Sequence, residues 1–398
     1  LSQKTPTANA ATVQNLSYTY DVMGNVTAMS ESAGPAARSM TYAYDGLDRL
    51  LSATGTTATG SLIYAEQFSY DILGNILSKL SVSPTSTTAD TYSYEVNGAT
   101  YANPHAATTI TTQQGTSTIA TTSYVYDWRG NPVSSVMKDG SGQVIVGTER
   151  TYDWDTEDQM RGLTLGSGSS SRSLEYVYGG NGDRLKQGEA GATSTVYASK
   201  IYNETLSASG TVVDVTKHVF GGSTLFATID GTGGSARALY DHTDHLSGAS
   251  VVTASGGSVE ETLDYLPFGS VRVDDKSGNW SEQRKFAGHE FDDASGLSFM
   301  EARYYNSETG RFLNIDPAFR DLTFKLEDPQ SLNSYAYARN NPLAYVDIDG
   351  REPISIAVIV GAGLMWTAAA SLAVQVPLWV GGTDAALRGD DRTSQQLF

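Results

Sequence analysis

The sequence predicts an all-β protein. Three observations carry that expectation: a recurrent Tyr-Asp unit, period-two alternation before each unit, and an excess of turn residues. Of 398 residues, 40 are glycine and 23 are tyrosine, and only 18% are charged. Such a mixture suits strands joined by tight turns better than helices.

Taken in order, the units open at Tyr20-Asp21, Tyr44-Asp45, Tyr70-Asp71, Tyr94-Glu95, Tyr126-Asp127, Tyr152-Asp153 and Tyr178-Gly179, with Tyr202 as a weaker eighth start. Three of them continue to a Gly-Asn pair, at Gly24-Asn25, Gly74-Asn75 and Gly130-Asn131. Each reads as a hairpin. Alternating residues such as Thr122-Ser-Tyr124-Val-Tyr126 form the first strand. The glycine supplies a positive φ in the turn, and residues such as Asn75-Ile-Leu-Ser-Lys form the return strand. The Asp carboxylates are expected to bond turn amides, and the tyrosines to stack on one face. One hairpin is marginal in water, so the units are expected to pair edge to edge. From about Lys217 the units shorten. Lys217–Gly231 reads as two strands about Gly221-Gly222, followed by Tyr240-Asp-His-Thr-Asp-His-Leu246 and Tyr265-Leu-Pro-Phe-Gly269.

Charge excludes some functions. There are 26 Lys+Arg against 44 Asp+Glu, a net charge of −18. Nucleic acid needs a basic face, so it is not an expected partner. The absence of cysteine removes disulfides, thiolate metal sites and cysteine nucleophiles. Asp241-His242-x-Asp244-His245 has metal-ligand types at close spacing, but two histidines in a short β-turn segment point different ways. No metal and no cofactor is expected. His105, His218 and His289 read as turn or surface residues. The chain opens on Leu1 without Met or a signal peptide, which reads as an internal start within a longer protein.

With these units the chain resembles the Rhs/YD-repeat family of bacterial polymorphic toxins, wall-associated proteins and insecticidal-toxin C components, with animal teneurins as more distant relatives. Further family elements follow in order: Phe286-Ala-Gly288-His-Glu-Phe-Asp292, Gly296 to Tyr305, Gly310-Arg-Phe312, Asp316-Pro317, Leu332-Asn-Ser-Tyr335 and Asn341-Pro342. The resemblance implies a spiralling hairpin strip, forming a curved wall or hollow shell, whose C-terminal core curls inward as a plug. The expected organisation is hairpin repeats over 1–216, shorter repeats over 217–302, the core over 303–351 and the start of a variable cargo region over 352–398. The implied function is to encapsulate or present a C-terminal toxin or effector polypeptide. The main expected partner is this chain's own cargo segment, with a secretion apparatus or cell-surface glycan beside it. The expected location is secreted or on the bacterial cell surface. The alternative is a surface binding or adhesion module, for carbohydrate or protein, without catalysis.

In many family members the core is an aspartyl protease that cuts its own chain. Carried over by motif, the implied pair is Asp316 and Asp347, with Arg311 and Asp349 in support and the scissile region at Gly350, Arg351 and Glu352. By family register the cut falls between Arg351 and Glu352. An aspartyl protease needs two carboxylates sharing one site, so that one stays protonated. Two departures stand out: Ile348 replaces an expected Pro, and Arg351 an expected bulky apolar residue. The other reading is that both aspartates simply cap turns, since Asp-Pro and Asp-x-x-Gly are ordinary turn sequences. Beyond the core, residues 354–382 carry no charge. They read either as a helical segment sheltered from water or as a membrane-active one, the single route by which a membrane enters as a partner.

Overall fold

The computed structural model describes residues 7–8, 11–33, 37–94, 103–320, 329–351 and 353–355. The turn after Tyr94, Asp328, Glu352 and the apolar tail beyond Ser355 lie outside the described residues. Among the described residues no helix is long and apolar enough to cross a membrane.

One antiparallel sheet of 22 strands runs from Leu16–Tyr20 to Val271–Lys276, and its strand order closes on itself as a barrel. Each strand pairs with the next in sequence, as Leu16–Tyr20 does with Val26–Glu31 and Leu62–Tyr70 with Ile76–Val82. The sheet continues without interruption across residues 216 and 217. Period two is visible in burial: Leu16 and Tyr18 face in, while Ser17 and Thr19 alternate with them. Where the two ends of the strip approach, Arg38 bonds Asp264 at 2.9 Å, and the rings of Tyr18 and His245 lie 4.6 Å apart.

The hairpin turns obey one rule. Asp21 Oδ1 accepts the amides of Met23 and Asn25, both at 2.9 Å, while Oδ2 accepts Asn25 Nδ2. Gly24 holds φ at +91°. Asp71 and Asp127 repeat the pattern. Where glycine is absent, Asp48 and Asp158 occupy the left-handed position at φ 60° and 63°, a region aspartate tolerates. Their carboxylates accept Nδ2 of Asn25 and Asn131 at 2.8 and 2.7 Å, tying each turn to the one before.

A second tie links successive hairpins. The repeat tyrosine sits where the register shifts just before the turn, as at Ala43/Tyr44 and Ser69/Tyr70. Such a bulge re-aims a side chain. The hydroxyls of Tyr44, Tyr70, Tyr94, Tyr126 and Tyr178 each donate to a carbonyl of the preceding hairpin, those of Val26, Leu50, Ile76, Ala107 and Met160, at 2.7–2.9 Å. Tyr265 does the same to Ala249.

Two repeat assignments are corrected here. In the unit at Tyr152-Asp153 the turn residue is Asp155, which accepts the amides of Glu157 and Gln159. Trp154 takes the tyrosine's place and donates Nε1 to the Pro132 carbonyl at 2.7 Å. Asp153 lies on the surface against Arg161. Tyr202 opens a strand rather than closing one, and its hydroxyl turns to Glu204.

The core fills the barrel interior. Four short strands, Glu290–Asp292, Leu297–Met300, Arg303–Asn306 and Arg311–Phe312, form a separate sheet. Phe286, Met300, Tyr305, Phe312 and Tyr337 of the core pack with Leu16, Tyr18, Leu50 and Phe68 of the wall. The Asn-rich segment reads the wall's turns. Asn333 Nδ2 reaches Asn75 Oδ1 at 3.0 Å, Asn340 Nδ2 the Gly74 carbonyl at 2.9 Å, and Asn341 Nδ2 Asn25 Oδ1 at 2.8 Å. Tyr335 donates to the Gly130 carbonyl at 2.7 Å.

Candidate functional site

Asp316 precedes the short helix Pro317–Arg320, and its Oδ1 accepts the Ala318 amide at 2.8 Å. Asp347 ends the strand Tyr345–Asp347, which pairs with Pro353–Ser355. Between them Asp347-Ile-Asp-Gly350-Arg351 repeats the turn of the wall. Asp347 Oδ1 accepts the Arg351 amide four residues on at 3.0 Å, and Gly350 holds φ at +70°. Both aspartates therefore cap turns, as the second sequence reading expects. Each still has its other oxygen free to reach inward.

Those two oxygens meet on one atom. Nη2 of Arg303 lies 2.8 Å from Asp316 Oδ2 and 3.1 Å from Asp347 Oδ2. Nη1 donates to the Ser334 carbonyl at 3.1 Å, and Nε donates to the Gly350 carbonyl. The guanidinium carbon lies 3.6 Å from the centroid of the Phe312 ring, which completes its cage. Arg303 is 2% exposed and Asp347 1%, so the charges are held away from water.

Burial pushes the Asp347 carboxyl up to about 6. Arg303 opposes the rise, Asp349 and Asp316 add to it, and the Arg351 amide opposes it. Burial also raises Asp316, against the pull of Arg303 and the Ala318 amide. A carboxylate pair with elevated affinity for a proton can divide the roles of base and acid.

The supporting residues differ from the sequence expectation. Arg311 does not touch either carboxylate. It reaches the Tyr94 hydroxyl at 3.1 Å and the His105 carbonyl, between the rings of Tyr94 and Tyr335. Sequence proximity to Asp316 favoured Arg311. Strand pairing instead gives the inward position to Arg303, whose strand is buried over Arg303, Tyr304 and Tyr305. An arginine followed by two aromatics in the core was the available signal. Asp349 stands beside the pair: its carboxylate accepts the Arg351 amide at 3.1 Å and its carbonyl accepts the Ala302 amide. A Cβ at Gly350 would sit 2.2 Å from the Met300 carbonyl oxygen and 3.0 Å from the Arg303 amide nitrogen, so the turn is pressed onto the link between the strands Leu297–Met300 and Arg303–Asn306.

His289 was also missed. It is a buried core residue, and its Nε2 lies 2.8 Å from the Asp347 carbonyl. The metal-like run disperses: His242 meets Thr253, His245 meets the Leu343 carbonyl, and Asp244 caps its own turn at Leu246 and Gly248. Apart from Tyr20, the tyrosines that open the Tyr-Asp units are buried or half-buried, which leaves a surface-binding reading with Tyr20, Trp128, Phe226 and Tyr240 as the exposed aromatics among the described residues.

Residues 224–343 match the family model described as Teneurin YD-shell. Toxin subunit YenC1 of Yersinia entomophaga is 24% identical over 404 residues, covering 87% of this chain and 38% of its own length. The tRNA nuclease WapA of Bacillus subtilis (strain 168) is 26% identical over 218 residues, covering 54% of this chain and 9% of its own. Among solved structures, the TcdB2-TccC3 crystal structure overlaps 86% of this chain and 22% of its own at 16% identity, with a TM-score of 0.43. The chain thus spans well under half the length of these relatives.

Proposed function

Because the chain belongs to the Rhs/YD-repeat family, we propose that it forms the closing end of a secreted shell for the polypeptide that follows its core, and that Asp316 and Asp347 cut that polypeptide free. One observation carries the second half: a single Arg303 nitrogen contacts both carboxylates while another nitrogen of the same guanidinium grips the Gly350 carbonyl. The first half is supported by the plug's contacts with the wall's turns and by toxin relatives of the same family.

In this reading the ionised carboxylate takes a proton from water, whose oxygen adds to the Gly350 carbonyl carbon. Arg303 stabilises the charge that develops on the carbonyl oxygen. The protonated carboxyl gives its proton to the Arg351 nitrogen as the C–N bond breaks. Water is consumed, and the products are a carboxylate at Gly350 and an amine at Arg351. The gripped bond is therefore Gly350–Arg351, one residue before the bond named by family register. Intact-mass measurement of the N-terminal fragment checks this. A terminus at Gly350 is expected, and one at Arg351 would restore the register. Fragment formation should vanish in Asp316→Asn and in Asp347→Asn; a wild-type chain that stays whole on long incubation removes the protease reading.

A further inference from the structure

The strand that delivers Asp347 leaves a carbonyl that its partner strand does not meet. Asp347 lies opposite Pro353, which has no N–H, so the hydrogen-bonded pair of this hairpin is Val346 with Ile354 and the Asp347 carbonyl turns away from the partner strand. A buried carbonyl without a donor is costly. Its donor comes from outside the hairpin: Nε2 of His289, 2.8 Å from the Asp347 carbonyl oxygen. The His289 backbone is itself pinned, its amide to the Phe286 carbonyl and its carbonyl to the Lys285 amide.

We infer that His289 is a positioning residue for the carboxylate pair, its Nε2–H satisfying the buried Asp347 carbonyl that points away from Pro353 and so fixing the junction from which the Asp347 side chain reaches Arg303. The inference rests on the cleavage reading for its kinetic consequence, but not for its geometry. A carbonyl acceptor requires the proton on Nε2, so the ring must be neutral with that tautomer or doubly protonated. The surroundings select the neutral form. Burial lowers His289 to about 3, the Asp347 carbonyl opposes this, and the cations Arg284 and Lys200 add to the lowering. A cavity of about 230 Å³ borders the ring, and its charged lining also includes Arg184, Glu290 and Glu301. Loosening the junction would open the buried carboxylates toward that space.

His289→Ala should slow fragment formation by roughly ten-fold or more, the scale of a small misplacement of a reacting group. His289→Gln, which keeps an N–H donor, should recover most of the rate. The alkaline limb of the pH–rate profile should move to lower pH in the alanine variant and return in the glutamine variant, a response that loss of packing alone does not give. Equal rates for His289→Ala and wild type, or glutamine as slow as alanine, would overturn the inference. A second measurement is independent of cutting. In Asp316→Asn chain carrying 15N-histidine, the resonance lost in His289→Gln should report a neutral Nε2–H ring from pH 5 to 8. A ring without a proton on Nε2, the neutral Nδ1–H tautomer, overturns the inference. Absence of an Asp347-dependent fragment from wild type removes the cleavage reading, while the tautomer still decides the role of His289.

Discussion

The wall and the core contain the same turn, and they use its aspartate in opposite ways. At Asp21 and at Asp347 one carboxylate oxygen accepts the amide four residues ahead, and a glycine between them holds a positive φ. In the wall, slight burial raises Asp21, but bonds from Asn25 and the turn amides outweigh it and hold the carboxyl below its ordinary range. In the core, burial dominates and Asp347 rises to about 6. The second oxygen marks the difference: Asp21 Oδ2 takes an asparagine amide beside it, whereas Asp347 Oδ2 takes an arginine that it shares with Asp316. A structural turn becomes a candidate reactive one through burial and a shared cation, with no change in backbone design.

This contrast is open to breakage in several ways. The largest effect should come from the carboxylates. Asp347→Asn should lower the cleavage rate by at least about a hundred-fold, and Asp21→Asn should leave it unchanged, as read by fragment yield over time. Equal rates for both would dissolve the distinction. Next is the cation. Arg303→Met leaves the buried Asp347 and half-buried Asp316 carboxylates without their cation and should destabilise the chain by roughly 3–5 kcal/mol. The wall's Arg161, paired with Asp153 at 3.0 Å on the surface, should cost about 1 kcal/mol or less on the same change. Denaturant midpoints measure both.

The pH dependence should have opposite signs. Asp347 binds its proton more tightly folded than unfolded, so its contribution is complete below the unfolded carboxyl value and is lost as pH rises through about 6. The stability gap between an uncut Asp316→Asn chain and its Asp347→Asn derivative should shrink across that window by up to about 3 kcal/mol, less whatever the Asp316 charge adds to the rise. Asp21 behaves in reverse, contributing above its unfolded value and losing that contribution as pH falls through its lowered folded value. The smallest difference concerns glycine. Gly350→Ala meets the Met300 carbonyl as well as an unfavourable φ, and should cost roughly 2–3 kcal/mol. At Gly24 a Cβ would meet nothing within 4 Å, so alanine should cost about 1 kcal/mol from backbone conformation alone.

Much of the wall was legible because its rule is local. Tyr, Asp and Gly-Asn at fixed spacing report a turn whose bonds are all made within a few residues. The reading slipped at Tyr152-Asp153-Trp154-Asp155, where two aromatic–acid pairs stand in tandem. The deciding signal was Asp158, three residues after Asp155 as Asp48 is after Asp45. The core was less legible because its contacts join distant segments. That Asp316 and Asp347 share a site came from resemblance, and nothing in the spacing named Arg303 over Arg311. His289 was read as a turn or surface residue because its partner, the Asp347 carbonyl, lies 58 residues away and is brought to it only by the fold.

The tyrosine ties give the wall a direction. From the first Tyr-Asp turn to Met160, each hairpin supplies a carbonyl that its successor's tyrosine, or in one case tryptophan, completes. A chain folding from its N-terminal end, as domains do during synthesis, therefore always carries its one unfinished edge at the newest hairpin. Every addition satisfies the unit before it and exposes the next acceptor. Growth of such a strip is vectorial, and the last partners to arrive, the core asparagines that reach Gly74 and Asn25, set the stopping point by returning to the first turns made.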